Sequence, residues 1–254
     1  MNGRLSVAVV HLLRRHERRR RLSAALDRHG FSRVAWLQAV DGSALDPAPP
    51  WQTASLPPAM PWENWIDPYA RRAMTLGEVG CALSHVLAWQ HVVRDGYPCL
   101  VVEDDAMPVE RLVDNLPKVL HDLDYLEFDL CYLAQRDDPG PRPLAGRHIH
   151  VVDYHPLWTL AYIVSPQGAQ KLLDAPWRSC LIPADEMLPA RFGLNRDGAV
   201  NSAYAGAGGL VVAANQNVFA PAESSTASET EKSVPVRDAS TPLAGLTVAT
   251  EEKP

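Results

Sequence analysis

The chain has 254 residues, 46% hydrophobic and 21% charged, with a formal net charge of −6. That is the profile of an ordinary globular protein, long enough for one large domain or two small ones. The acidic balance argues against a general nucleic-acid binder, whose footprint is a basic face, and no apolar segment approaches the ~20 residues that span a bilayer. The apolar stretch from Leu5 to Leu13 is interrupted by His11 and followed by its positive charges, so it does not read as a secretory signal. Cys81, Cys99, Cys131 and Cys180 lie far apart among apolar neighbours. This suits reduced thiols in a cytoplasmic protein, not a zinc site or a disulfide framework.

The elements follow in order. Leu5 to Leu12 reads as a strand and about Arg15 to His29 as a helix, with Leu22, Ala25 and Leu26 on one face and Gly30 as its stop. Val34 to Val40 is a second strand, closed by a turn at Asp41-Gly42. Strand, helix and strand at this spacing predict a βαβ unit and a parallel sheet. From Asp46 to Pro68 the chain holds seven prolines and Trp51, Trp62 and Trp65. Proline removes backbone donors, so irregular structure is expected there. The tryptophans either stack on a ligand or pack on the core.

Thr75-Leu76-Gly77-Glu78 is a capping box, and Val79, Val86, Trp89 and Val93 continue at helical spacing until Asp95-Gly96-Tyr97-Pro98. Cys99 to Val102 then reads as a strand buried on both faces, ending in Glu103-Asp104-Asp105. In parallel sheets, ligands bind where strands leave the core at their carboxyl ends. Two like charges ~4 Å apart repel by about 4 kcal/mol at an effective dielectric near 20, and a hard divalent cation would relieve that repulsion. The plainer alternative is a solvated acidic turn. Further strands are expected over Phe128–Leu133, His148–Val152 and Trp158–Val164, and a helix capped by Ser165-Pro166 to about Asp174. Residues 1–232 form the predicted domain, with the Pro- and Trp-rich insert spanning 46–74. The tail over 233–254 is too poor in large apolar residues to order.

Four segments resemble glycosyltransferase family 25. They are the first strand with Leu12, Arg14 and the arginine cluster through Ala39-Val40-Asp41-Gly42; Leu76-Gly77-Glu78-Val79-Gly80-Cys81-Ala82-Leu83-Ser84-His85 running through Trp89 to Glu103-Asp104-Asp105; Ala161 to Ser165 with Gly168-Ala169 and Leu172-Leu173; and Pro183-Ala184-Asp185-Glu186-Met187-Leu188. The second is the specific one. The resemblance implies a GT-A-like (Rossmann-like) α/β single domain with a mostly parallel central sheet flanked by helices. It also implies a nucleotide-sugar donor, usually a UDP-hexose and often UDP-galactose, inversion at the anomeric carbon, and a glycan or glycolipid acceptor such as lipooligosaccharide.

Sugar transfer needs the leaving diphosphate neutralised and the acceptor hydroxyl deprotonated. Mn²⁺ or Mg²⁺ is expected on Asp105 with Glu103, which face one side of an extended chain, while Asp104 supports them. Leu12, Arg14, Ser84 and His85 are expected around the donor. His85 either donates to the diphosphate or orients a carboxylate. Among six arginines from Arg14 to Arg21, only Arg14 is placed in the site, the rest forming a solvated face or meeting anionic lipid head groups at the membrane's inner surface. Asp185 or Glu186 is the expected base, with a pKa lowered by the helix end. Asp153 is held in reserve, and Asp185 as a helix cap is the alternative. A metal-dependent phosphoryl hydrolase and a non-catalytic sugar-nucleotide-binding relative are the competing classes.

Overall fold

β1 (Ser6–His11) is buried along its whole length, because both of its faces are covered. Val7 and Val9 point into one apolar cluster, with Leu22 and Leu26 of α1 (His16–Arg28). Ala8 and Val10 point into the other, against the long helix that follows the insert. The period of two along the strand thus feeds two cores, one on each side of the sheet. The computed structural model describes residues 5–63, 65–136, 140, 142–206 and 208–222. The predicted tail over 233–254 lies outside them.

β2 (Val34–Gln38) pairs parallel to β1, completing the predicted βαβ unit. The insert differs from expectation. β3 (Trp51–Thr53) and β4 (Leu56–Ala59) form a small antiparallel hairpin despite Pro57 and Pro58. A two-stranded ribbon is all edge, and proline is tolerated on edges. Trp51 and Trp65 are buried in the core and Trp62 packs against it, the core-packing alternative of the two.

α2 (Leu76–Asp95) opens with the predicted capping box: Thr75 Oγ1 accepts from Glu78 N–H, and the Glu78 carboxylate accepts from Thr75 N–H. Gly96, left-handed with φ 75°, ends it. β5 (Cys99–Glu103) then pairs parallel to β1 on the side away from β2, with Glu103 beside Val10. β6 (Ala106–Pro108), α3 (Leu112–Leu123), β7 (Leu130–Tyr132), β8 (Ile149–Val151), β9 (Ala161–Val164), α4 (Pro166–Leu173), α5 (Ala184–Arg191), α6 (Gly198–Tyr204), β10 (Val211–Ala214) and β11 (Phe219–Pro221) complete the order.

The seven-stranded sheet runs β2-β1-β5-β9-β7-β10-β8. β2, β1, β5, β7 and β10 share one direction, and β9 and β8 run against them. After β2 the chain crosses back over β1 through α2 to reach β5. The strand order therefore reverses between β1 and β5, and a crevice opens at their carboxyl ends.

Candidate functional site

That crevice is lined by Val10 of β1 and Leu12 just after it, from the loop after β2 by Asp41 and Gly42, from α2 by Cys81, Ser84 and His85, and from the end of β5 by Glu103, Asp104 and Asp105. Two glycines let α2 come this close. A Cβ on Gly80 would lie 2.6 Å from Val40 O, and one on Gly42 would lie 2.1 Å from Leu76 O. Ser84 then ties helix to loop, its hydroxyl donating to Gly80 O at 2.6 Å and accepting from Val40 N–H at 2.8 Å. Ser84 lies in the crevice wall, and its hydrogen bonds serve the backbone.

The three acids do not continue as an extended chain. β5 ends at Glu103 and a turn follows, so strand alternation does not set the directions of the three carboxylates. The expected common face for Glu103 and Asp105 assumed an unbroken strand; instead the three acids line one crevice, each with its own set of partners. Asp104 is buried and fully used: it accepts from Leu12 N–H at 3.0 Å, meets His11 Nδ1 at 3.1 Å, and accepts from Arg18 Nη1 at 2.9 Å. It fixes the β1–α1 turn. Asp105 meets the same Arg18 at 3.4 Å, while its Oδ1 is buried with no hydrogen-bond partner among the described residues. Burial, reinforced by Glu103 and Asp104, pushes its pKa up to about 6.

Glu103 Oε1 accepts from Thr159 Oγ1 at 2.5 Å and faces His85 Nε2 at 3.4 Å. Burial alone would raise its pKa, but the contacts with His85 and Thr159 and the charge of Arg18 carry it below the usual value. His85 is wholly buried, with Nδ1 2.8 Å from the Tyr162 hydroxyl, which also accepts from Trp89 Nε1 at 3.0 Å. Of the two roles considered for His85, its position fits orientation of the Glu103 carboxylate.

Arg14 turns to the rim, where its Nε donates to Asp41 Oδ2 at 2.7 Å. The arginine that reaches the acids is Arg18, which the sequence reading assigned to the solvated or lipid-facing remainder. Arg18, Leu22 and Leu26 recur every fourth residue, so Arg18 shares the stripe of α1 that packs inward. That spacing was the available signal. His11, Thr159 and Tyr162 were also missed; Tyr162 lies in the third of the family-like segments, while no motif marks His11 or Thr159.

α5 begins behind Pro183, so Asp185 lies in the first turn and is not its cap. The pKa of Asp185 is raised to about 7, by burial first and then by the charges of Glu186, Glu78 and Glu103. The direction is opposite to the expected lowering by the helix end, because burial first and the neighbouring carboxylates second outweigh half a dipole charge. Glu186 accepts from Asn195 Nδ2 at 2.6 Å, lies 3.8 Å from His155 Nε2, and is raised by burial. Asp153 is half-exposed and paired with Arg142 at 2.8 Å, and, like Asp185 and Glu186, it is not among the residues that line the crevice.

An oxygen-seeking divalent cation fits Asp105: the carboxylate is crowded by Glu103, carries a buried oxygen without a partner, and holds a raised pKa that a cation would lower. A second set, Cys81 Sγ, His85 Nε2 and a Glu103 oxygen, has its atoms within 4.8 Å of one another. Its mixed S, N and O donors suit softer ions.

A family model described as "Glycosyltransferase family 25 (LPS biosynthesis protein)" matches residues 5–138. Procollagen galactosyltransferase 2 of Mus musculus is 32% identical over 194 residues, covering 73% of this chain and 30% of its own length. Procollagen galactosyltransferase 1 of Danio rerio is 34% identical over 193 residues, covering 73% and 31%. Inactive glycosyltransferase 25 family member 3 of Homo sapiens is 32% identical over 201 residues, again covering 73% and 31%. The chain thus spans about 30% of the length of the curated relatives it matches.

Proposed function

The chain belongs to glycosyltransferase family 25, and from that premise we propose that it transfers a hexose, galactose first among candidates, from a UDP-sugar to a hydroxyl of a glycan or glycolipid acceptor such as a lipooligosaccharide core. The observation that carries this reading is the convergence of Asp105, Glu103 and Arg18 in the crevice where the strand order reverses. Doubly wound sheets bind nucleotides at that point.

Asp105, with Glu103 beside it, would hold the Mn²⁺ or Mg²⁺. Bound there, the cation screens charge developing on the leaving diphosphate. Arg18 adds a guanidinium fork suited to phosphate oxygens, and Asp104 holds that fork in place. The Trp89–Tyr162–His85 chain sets the angle of the Glu103 carboxylate. Asp185 removes the acceptor proton, since a base works best with a pKa near the working pH and its own is about 7. Glu186, held by Asn195, keeps that pKa high by its charge. Inversion follows if the base and the diphosphate face opposite sides of the anomeric carbon.

The insert over 46–74 forms the acceptor wall beside α5. Its backbone pairs with the segment entering that helix, through Met60 N–H to Arg178 O at 2.8 Å and Trp62 N–H to Leu181 O at 3.0 Å. Arg72 binds Glu78 of α2 through two hydrogen bonds, which holds the wall in place. No helix among the described residues is long and apolar enough to cross a membrane. Arg19, Arg20 and Arg21 are exposed on α1, a face suited to anionic head groups on the inner side of a membrane. The four free cysteines suit a reducing cytoplasm.

The test is a donor screen. The protein is incubated with Mn²⁺ or Mg²⁺ and individual nucleotide sugars, and release of nucleoside diphosphate is measured. Metal-dependent release from one UDP-hexose, stopped by chelator, is the expected result. Binding of the donor without release would leave a sugar-nucleotide-binding relative, and phosphate release from simple phosphoesters would leave a hydrolase.

A further inference from the structure

A second cavity, of about 320 Å³, opens between α3 and the end of the sheet formed by β8 and β10. From α3 it takes Arg111, Asn115 and Lys118, spaced four and three residues apart and so on one helical face. The loop before β8 brings Arg147 and His148, and the loop after β10 brings Gln216. Among the described residues, no carboxylate lines it. Asp122 accepts from His148 N–H at 2.6 Å and lies 3.4 Å from its Nδ1. Among the described residues, Arg111, Lys118 and Arg147 have no salt-bridge partner. Three permanent cations facing one cavity, on a chain of net charge −6, repel one another unless an anion joins them.

The position is informative as well. Ile149, the first residue of β8, pairs with Ala214, the last of β10, and β10 runs in the direction of β5. The cavity therefore opens on the same edge of the sheet as Glu103, Asp104 and Asp105. Three strand spacings separate β5 from β10, roughly 14 Å at about 4.8 Å each. A glycan of a few sugars seated at the crevice reaches that far.

We propose that this cavity is a second binding subsite, which takes a phosphate monoester carried by a sugar of the acceptor. A phosphate monoester presents close to two charges and three acceptor oxygens. Arginine forks, a lysine and the side-chain amides of Asn115 and Gln216 supply matching donors. A carboxylated sugar, with one charge, leaves the three cations under-neutralised. The assignment of the phosphate to an acceptor rests on the glycosyltransfer reading; phosphate binding itself does not.

The experiment is calorimetric titration of the full chain with glucose 6-phosphate, inorganic phosphate and glucose, for wild type and for Lys118→Ala/Arg147→Ala, each against vesicles of phosphatidylglycerol as a further arm. The expected result is that both phosphates bind wild type, that glucose does not, and that the double variant loses at least tenfold in affinity. Metal-dependent donor hydrolysis should be the same in both proteins, since neither residue lies in the crevice. If wild type hydrolyses no donor, the functional reading fails while the phosphate titration still reads the cavity. Equal phosphate affinity in the two proteins overturns the subsite. So does binding to vesicles alone, which would indicate a flat basic surface and not a cavity built for one group.

Discussion

The guanidinium of Arg18 lies 2.9 Å from Asp104 Oδ1, and the same nitrogen reaches Asp105 at 3.4 Å. One helical turn of α1 thereby places a permanent cation against the acids that end β5. Arg14 sits on the crevice rim, tied to Asp41 and 43% exposed, against 24% for Arg18. Exposed pairs of that kind contribute about 0–1 kcal/mol. Arg18→Gln should therefore lower donor turnover at least tenfold, about 1.4 kcal/mol in the barrier, while Arg14→Gln changes it less than threefold. Parallel steady-state rates decide it, and equal losses would show that both guanidiniums serve the donor.

Asp185 governs the expected pH dependence. Its pKa rises from the ordinary 3.8 to about 7 in the folded chain, so the folded state binds the proton more tightly than the unfolded state does. Stability from this group is full below 3.8 and is lost as pH climbs to about 7. Asp185→Asn should accordingly raise the melting temperature at pH 8 and converge with wild type in acid. Wild-type kcat/KM should climb to a plateau above about pH 7, and the variant should lose activity at every pH. A variant with normal turnover would remove Asp185 as the base.

Tyr162 joins α2 to the end of β5. Its hydroxyl accepts from Trp89 Nε1 and meets His85 Nδ1, all three side chains being fully buried. Tyr162→Phe leaves two buried polar groups without that partner and should cost about 1–3 kcal/mol of stability. Urea melts measure it. Unchanged stability would mean that His85 and Trp89 find other partners.

The insert gives opposite expectations for two aromatic residues. Trp65 is 8% exposed and belongs to the core, whereas Tyr69 is 60% exposed beneath the Arg196 guanidinium. Trp65→Ala should destabilise by about 3–5 kcal/mol and lower hydrolysis and transfer together. Tyr69→Ala should leave stability within about 0.5 kcal/mol and raise the acceptor KM. If Tyr69→Ala leaves the acceptor KM unchanged, the wall over 46–74 does not contact the acceptor at that point.

Periodicity made most of the fold legible. The apolar run of β1, the capping box of α2 and the apolar run of β5 all carry local signals, and each forms where its residues predict. α3 escaped because Pro117 interrupts its pattern, and β10 because Val211 to Ala214 is a short apolar run that fits helix or strand alike. In the site, sequence placed the acids at a strand end but not their directions, because the turn after Glu103 depends on Asp104 finding His11 and Leu12 ninety residues away in the chain. The pKa of Asp185 was illegible for the same reason. Glu78 and Glu103 reach it only through the tertiary fold.

The central claim is that Asp105 serves the reaction and not the fold. Its carboxylate is buried, its pKa is raised to about 6 by burial and by Glu103 and Asp104, and one of its oxygens has no hydrogen-bond partner among the described residues. The direct measurement is Asp105→Asn, with metal-dependent turnover of the UDP-sugar and thermal melting recorded on the same preparation. Turnover should fall below a tenth of wild type, with a melting temperature at pH 8 equal to or above it. Turnover above a tenth, or a melting temperature several degrees lower, would contradict it.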